Sequence, residues 1–170
     1  PKDYVLATVH RQENADSRER MEAILGAMVS SGRAFVLPLH PRTKKNLDKW
    51  GMLSALANKG NITILPPQGF LSFTSLEKHA ELIMTDSGGV QKEAFFFRVP
   101  CITLREETEW VETVSDGWNV LVGADPFLII NAMETIAPGV DEPTSYGDQR
   151  VCARIVESLE ELSRASPRRS

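Results

Sequence analysis

The sequence predicts an α/β domain of three layers: a parallel β-sheet covered by helices on both faces. Two observations predict it. Short apolar, β-branched runs alternate with stretches of helical periodicity along the 170 residues, the order of successive βαβ units. Polar clusters also stand directly after several of those runs, at the carboxyl ends of strands, where parallel sheets carry their ligands.

The elements follow in order. The run at 4–9 reads as a buried strand. Met21, Ile24, Leu25 and Met28 recur at helical spacing, with Ser17 as N-cap and Gly32 as the stop. A second strand at 34–39 ends in His40-Pro41. A helical stretch over about 43–57 is interrupted near Gly51, and a strand at 61–65 closes on Pro66-Pro67. Phe73, Leu76 and Ala80 mark a short helix. Then come a strand at 82–85, a helix at 87–96, a strand at 101–104, a helix at 108–115 and an extended segment at 119–122. Asp125 caps a helix at 125–136 with Pro126 in its first position. An amphipathic helix at 151–162 is the last. Residues 1–163 are expected to form one domain, and 164–170 a disordered polar tail. The sequence holds no internal repeat and no low-complexity segment.

The bulk numbers restrict the function classes. A hydrophobic fraction of 42% and a charged fraction of 25% are those of an ordinary globular domain. The net charge of -4 argues against a nucleic-acid surface, which needs a basic field. A local anion site at a helix N-terminus remains open, since backbone donors suffice there. No apolar run approaches the ~20 residues that span a bilayer, so no membrane partner is expected. Of the two cysteines, Cys101 sits in an apolar run and reads as a buried thiol. Cys152 lies in a helical pattern, and a disulfide between the two is not expected in a cytosolic chain. The chain opens on Pro1 rather than Met and runs almost at once into a strand, so it is expected to be a piece of something longer.

Three polar clusters follow strands: His10-Arg11-Gln12-Glu13-Asn14, His40-Pro41-Arg42, and Thr85-Asp86-Ser87-Gly88-Gly89. A parallel sheet brings such ends to one edge. Ser87 can cap the helix that Gly88 opens. Two glycines without Cβ let a ligand approach the backbone amides, and the helix dipole favours an anion such as a diphosphate. Glu93 lies six residues beyond Ser87, roughly 9 Å along the helix axis. That is about the separation of diphosphate and ribose in one nucleotide, and a carboxylate there would accept from two hydroxyls. A plain capped turn explains Ser-Gly-Gly equally well by itself. His10 beside Arg11 suits a phosphate, or a surface cap; His40 has the same two readings. Phe73 suits stacking on a base, or a place in the core. Arg105 could border the same crevice, or begin a charged helix. His79 is read as structural. Neither G-x-G-x-x-G nor G-x-x-x-x-G-K-[ST] is present, and no C-x-x-C or histidine pair suggests a metal.

Taken together, His10-Arg-Gln-Glu-Asn14, His40-Pro41, Thr85-Asp-Ser-Gly-Gly-Val-Gln-Lys-Glu-Ala94, Arg105 with Thr108-Glu109, and Leu121-Val-Gly123 resemble the non-hydrolysing UDP-N-acetylglucosamine 2-epimerases. The resemblance covers residues 4–124. It implies a GT-B architecture of two Rossmann-like domains with the substrate between them, this chain matching the C-terminal, UDP-holding domain. It implies that Ser87, Gly88 and Gly89 meet the diphosphate, Glu93 the ribose and Phe73 the uracil. Arg105 borders the same site. His10 lies by the phosphates near the reacting sugar as the catalytic member of this half. Arg11 and His40 match positions that bind a second UDP-sugar in allosteric members.

The reaction implied is elimination of UDP to a 2-acetamidoglucal and its re-addition, giving UDP-N-acetylmannosamine without nicotinamide or metal. The resemblance further implies a cytoplasmic enzyme of cell-envelope polysaccharide synthesis, whose catalytic carboxylates belong to an N-terminal domain absent here. This chain is then expected to bind UDP weakly and not to epimerise alone. The family is commonly dimeric, with a homodimer's contacts largely outside this stretch. The chain departs from the family pattern at Gln12 and Trp110 (arginine is common at both), at Lys92 (glutamate) and at Arg98 (glycine). Three alternatives stay open: the donor domain of a GT-B glycosyltransferase, a non-catalytic nucleotide-binding module, and a hydrolysing relative.

Overall fold

The computed structural model describes residues 3–139, 145–146 and 150–165. Among these, six parallel strands form one sheet in the order β3-β2-β1-β4-β5-β6. They are β1 Val5–Thr8, β2 Phe35–Pro38, β3 Ile62–Leu65, β4 Leu82–Thr85, β5 Cys101–Thr103 and β6 Asn119–Leu121. The sheet grows outward from β1 in one direction and from β4 in the other. The strand order therefore reverses between β1 and β4, and there the register sets Val5 opposite Leu82 and Thr8 opposite Thr85. Such a reversal leaves a crevice at the carboxyl ends of the two strands.

Alternate residues of each strand enter different layers, as a two-residue side-chain period requires. Val5, Ala7, Leu82, Met84 and Ile102 pack with Met21, Ile24 and Met28 of α2 (Arg18–Ser30), Leu47 of α3 (Pro41–Lys49) and Ile129 of α8 (Pro126–Thr135). Leu6, Ile83 and Cys101 face the opposite layer. There they meet Val90 and Ala94 of α6 (Gly88–Phe97), with Phe73 and Leu76 of α5 (Phe70–His79) packed against them. Fully burying each such aliphatic side chain contributes roughly 1.5–3 kcal/mol. The Cys101 thiol is pushed up to about 12 by its burial, and Cys101 and the exposed Cys152 are both free.

The structure differs from the expected elements at a few boundaries. A four-residue helix, α1 (Gln12–Ala15), follows β1, too short to show periodicity. The stretch expected from about residue 43 begins at Pro41, because the His40 ring caps it: Nδ1 accepts from the Arg42 amide at 3.2 Å. It splits into α3 and α4 (Met52–Ala57) at Gly51, whose φ of 71° is left-handed. The helix expected from residue 108 starts later, as α7 (Val111–Ser115). Thr108 is held in a turn instead: its hydroxyl donates to Gln91 Oε1 at 2.6 Å and accepts from the Trp110 amide at 3.1 Å.

The chain divides into two compact units, residues 1–140 and 141–170. The sheet with α1–α8 belongs to the first, and α9 (Val151–Ala165) to the second. α9 runs two residues into the stretch expected as a tail, and the rest of that tail lies outside the described residues. Along α9, Val151, Ile155, Val156 and Leu159 are exposed.

Candidate functional site

The crevice between β1 and β4 is tied together by side chains that follow the two strands. The Thr8 and Thr85 hydroxyls lie 2.6 Å apart, and Thr85 Oγ1 also accepts from the Ser87 amide at 3.0 Å. Asp86 is fully buried. Its carboxylate accepts from the His10 amide at 3.1 Å, the Arg11 amide at 3.0 Å and Asn14 Nδ2 at 3.1 Å. Asn14 is itself buried and donates to the Leu104 carbonyl at 3.0 Å. One carboxylate thus fixes the turn that presents His10 and Arg11. The His10 ring sits 3.7 Å from the same carboxylate through Nδ1.

A pocket of about 210 Å³ opens here. Its walls include His10 after β1, His40 after β2, Pro67 and Gln68 after β3, Phe73 of α5 and Val90 of α6. The His10 and His40 rings lie 5.5 Å apart between centroids. Three candidates from three separate stretches of sequence therefore share one small chamber with an aromatic wall.

α6 begins beside this chamber. Ser87 is its N-cap, its hydroxyl accepting from the Val90 amide at a long 3.5 Å. A Cβ on Gly88 would come within 3.2 Å of Trp110 Nε1, so the indole would have to give by a few tenths of an ångström to admit a side chain there. A Cβ on Gly89 would meet only Ser87 Oγ, at an ordinary 3.8 Å. Protein packing does not demand that second glycine, whereas close approach of a ligand to the first turn would. Lys92 lies over the Trp110 ring at 4.2 Å, adding a positive charge within one turn of the same helix start.

Charged groups line one flank. Glu109 bridges Arg105 at 2.7 Å and Arg11 at 3.4 Å. The hydrogen bond from Arg105 holds the Glu109 carboxyl down at about 2. Arg105, buried and paired with Glu109, is not among the walls of the small chamber. It lines a larger depression of about 800 Å³ with Arg20, Glu106 and Asp125, beyond β5 and β6. That depression is an open groove of mixed charge. The small chamber is where the separate polar clusters converge, which makes it the candidate site.

The structure thus gathers His10, His40 and Phe73, sets Ser87, Gly88 and Gly89 at the adjoining helix start, and places Arg11 near Gly88. Glu93 lies further along α6 against Glu77 of α5. Two cluster members that had no individual role in the sequence, Asp86 and Asn14, form the clamp, and two residues outside the clusters contribute as well, Gln68 in the wall and Glu77 behind Glu93. Gln68 had a signal in its place after a strand. Glu77 had one as a charge on the apolar stripe of α5.

Comparisons with known proteins agree on one family. The sequence model of UDP-N-acetylglucosamine 2-epimerase matches residues 1–160. A Methanococcus maripaludis protein named UDP-N-acetylglucosamine 2-epimerase homolog is 44% identical over 162 residues, covering 95% of this chain and 45% of its own length. The UDP-2,3-diacetamido-2,3-dideoxy-D-glucuronate 2-epimerase of Pseudomonas aeruginosa is 41% identical over 164 residues, covering 94% and 45%. Among solved structures, the Methanocaldococcus jannaschii UDP-GlcNAc 2-epimerase in complex with UDP-GlcNAc and UDP superposes with a TM-score of 0.83 at 41% identity, over 94% of this chain and 46% of that one. The chain spans about half the length of the curated relatives it matches.

Proposed function

The chain belongs to the UDP-N-acetylglucosamine 2-epimerase family, and from that premise we propose that it is the UDP-holding domain of an enzyme that interconverts UDP-N-acetylglucosamine and UDP-N-acetylmannosamine. The observation that carries the proposal is the convergence at the β1–β4 switch. A histidine pair and a phenylalanine share one chamber, beside a glycine-rich helix start with a carboxylate further along the same helix.

In the proposed reaction the proton at C2 of the sugar leaves as the C1–O bond breaks, and UDP departs with negative charge growing on its terminal phosphate. Re-addition then puts a proton on the other face of C2 and re-forms the C1–O bond to UDP. This domain would serve the departing group. The α6 amides and helix dipole stabilise charge where it develops, Arg11 adds a cation, and His10 acts beside the phosphates. Phe73 would stack on the uracil and Glu93 would accept the ribose hydroxyls. Arg105 would act from behind by holding Glu109, and His40 and Arg11 would meet a second UDP-sugar where one binds. The group that takes the C2 proton would come from an N-terminal domain. The whole enzyme would act in the cytoplasm as a homodimer, supplying amino sugars to cell-envelope polysaccharide.

Calorimetry with UDP tests the nucleotide site. UDP is expected to bind this chain more tightly than UMP, and Ser87→Ala and Glu93→Ala should each weaken it by about tenfold, the order of one charge-assisted hydrogen bond. Unchanged affinity in both variants, or no binding at millimolar UDP, would count against it. The chain alone should produce no UDP-N-acetylmannosamine. A second reading, a sugar bearing a 3-acetamido group and a C6 carboxylate, is favoured by the 41% identity to the Pseudomonas relative. Product analysis with both sugars, in the full-length enzyme, separates the two.

A further inference from the structure

α5 turns the half-buried Phe73 and Leu76 and the buried Glu77 toward the sheet, with buried Ala80 at its C-cap, a spacing that puts one helix face inward. Glu77 is the anomaly on that face. It has no solvent exposure at all, in a layer built from Leu6, Ile83, Val99 and Cys101. Neither of its carboxylate oxygens has a hydrogen-bond donor. A leucine there would be the stabilising choice, because a buried unpaired charge costs several kcal/mol. The group within hydrogen-bonding reach is another carboxyl, Glu93 of α6. Two ionised carboxylates cannot bond to one another, since each only accepts. One proton between them removes both the missing donor and the repulsion. It belongs on Glu77, which is fully buried, while Glu93 is only half-buried.

We propose that Glu77 is a positioning residue: protonated, it donates to Glu93 and holds that carboxylate for a ribose diol, so that nucleotide binding weakens when the pair loses its shared proton. This rests on the reading that Glu93 meets the ribose. One oxygen of Glu93 is then engaged from behind and the other is left for the ligand. Burial, and next the bond and charge of Glu93, push Glu77 up to about 8, so the proton is present at neutral pH and leaves in mild base. Four other titratable groups lie on the elements around the pair. Cys101 of β5 is pushed up to about 12 by burial, and Tyr4, whose hydroxyl donates to the Leu76 carbonyl at 2.7 Å, is raised by burial as well. Lys78 and His79, on α5 itself, are exposed.

The test is UDP binding by calorimetry between about pH 7 and pH 9, above the range in which phosphate monoesters and imidazoles ordinarily titrate. Affinity of the wild-type chain should fall about tenfold across that window, as expected for one group titrating near its middle. Glu77→Gln, whose amide still donates, should keep the neutral-pH affinity and lose the pH dependence. Glu77→Leu, which packs but cannot donate, should bind more weakly throughout and be equally flat. Carboxyl carbon NMR should show one resonance titrating near pH 8, present in the wild type and absent in Glu77→Gln.

A flat wild-type profile, or a slope that survives in Glu77→Gln, overturns the proposal. So does the absence of that resonance, whatever UDP does. Glu93→Ala separates the two failures. If it weakens UDP while the wild-type profile is flat, the ribose contact stands and the role of Glu77 falls. If it binds UDP as the wild type does, the ribose contact falls and takes the role of Glu77 with it.

Discussion

Asp86 receives the His10 and Arg11 amides and the Asn14 side chain while buried to 0% exposure. Removing an acceptor from buried donors costs roughly 1–3 kcal/mol for each donor left without a partner. Asp86→Ala is therefore expected to lose about 3 kcal/mol or more in urea unfolding, and to weaken UDP binding as well, since the His10–Arg11 turn loses its anchor. A loss in binding with unchanged unfolding would mean that the carboxylate meets ligand rather than backbone. Asp86 stood inside a motif that was plain in the sequence, yet its role was not: adjacency to Ser-Gly-Gly does not say which way its carboxylate points. Only the register of β1 against β4 shows that it points back into the β1–α1 turn. His10 and Ser87 were legible, because each stands within two residues of the end of an apolar run, and that position alone puts them at a strand's carboxyl end.

At the scale of one element, α6 carries most of the candidate site and also one unfavourable backbone. Ser87 starts it, and it ends at Arg98 with φ 55° and ψ 46°, the only non-glycine residue at positive φ among the described residues. Glycine is the usual residue at such a C-terminal position because a Cβ is strained there. Arg98→Gly is expected to raise stability by about 1 kcal/mol and the melting temperature by about 2–4 °C, measured by thermal unfolding. UDP affinity should be unchanged, since Arg98 lies at the opposite end of the helix from Ser87. The start of α6 was readable from Ser-Gly-Gly and its length from apolar spacing. By contrast, α1 spans one turn, below the length at which periodicity exists, and the late start of α7 depends on a tertiary bond from Thr108 to Gln91.

Across the whole molecule, two carboxyls with opposite shifts shape stability against pH. Glu77, up from 4.5 to about 8, binds a proton in the folded chain that it lacks when unfolded between those values. Its contribution is complete below about pH 4.5 and is lost as pH rises toward 8. Glu109, held near 2 by Arg105, is the reverse: its contribution is complete above 4.5 and is lost as pH falls toward 2, though its half-exposed side chain tempers the effect. Urea unfolding should therefore show stability falling between pH 5 and pH 8 by at least about 1 kcal/mol in the wild type and less in Glu77→Gln. Equal slopes would mean that Glu77 is ionised in the folded chain.

The alternation of apolar runs and helical stretches determined the α/β class by itself, since periodicity and burial preference are properties of local sequence. Polar clusters after strands likewise determined at which edge of the sheet those side chains would gather. What only the tertiary structure decided is who faces whom: His10 against His40, Asp86 under the His10 turn, Arg105 turned to Glu109, Glu77 locked behind Glu93. Those meetings depend on strand order and register, which join residues tens of positions apart. A carboxylate reads the same in sequence whether it is solvated, paired or buried against another, and the difference lies in the dielectric and the partners that the fold supplies.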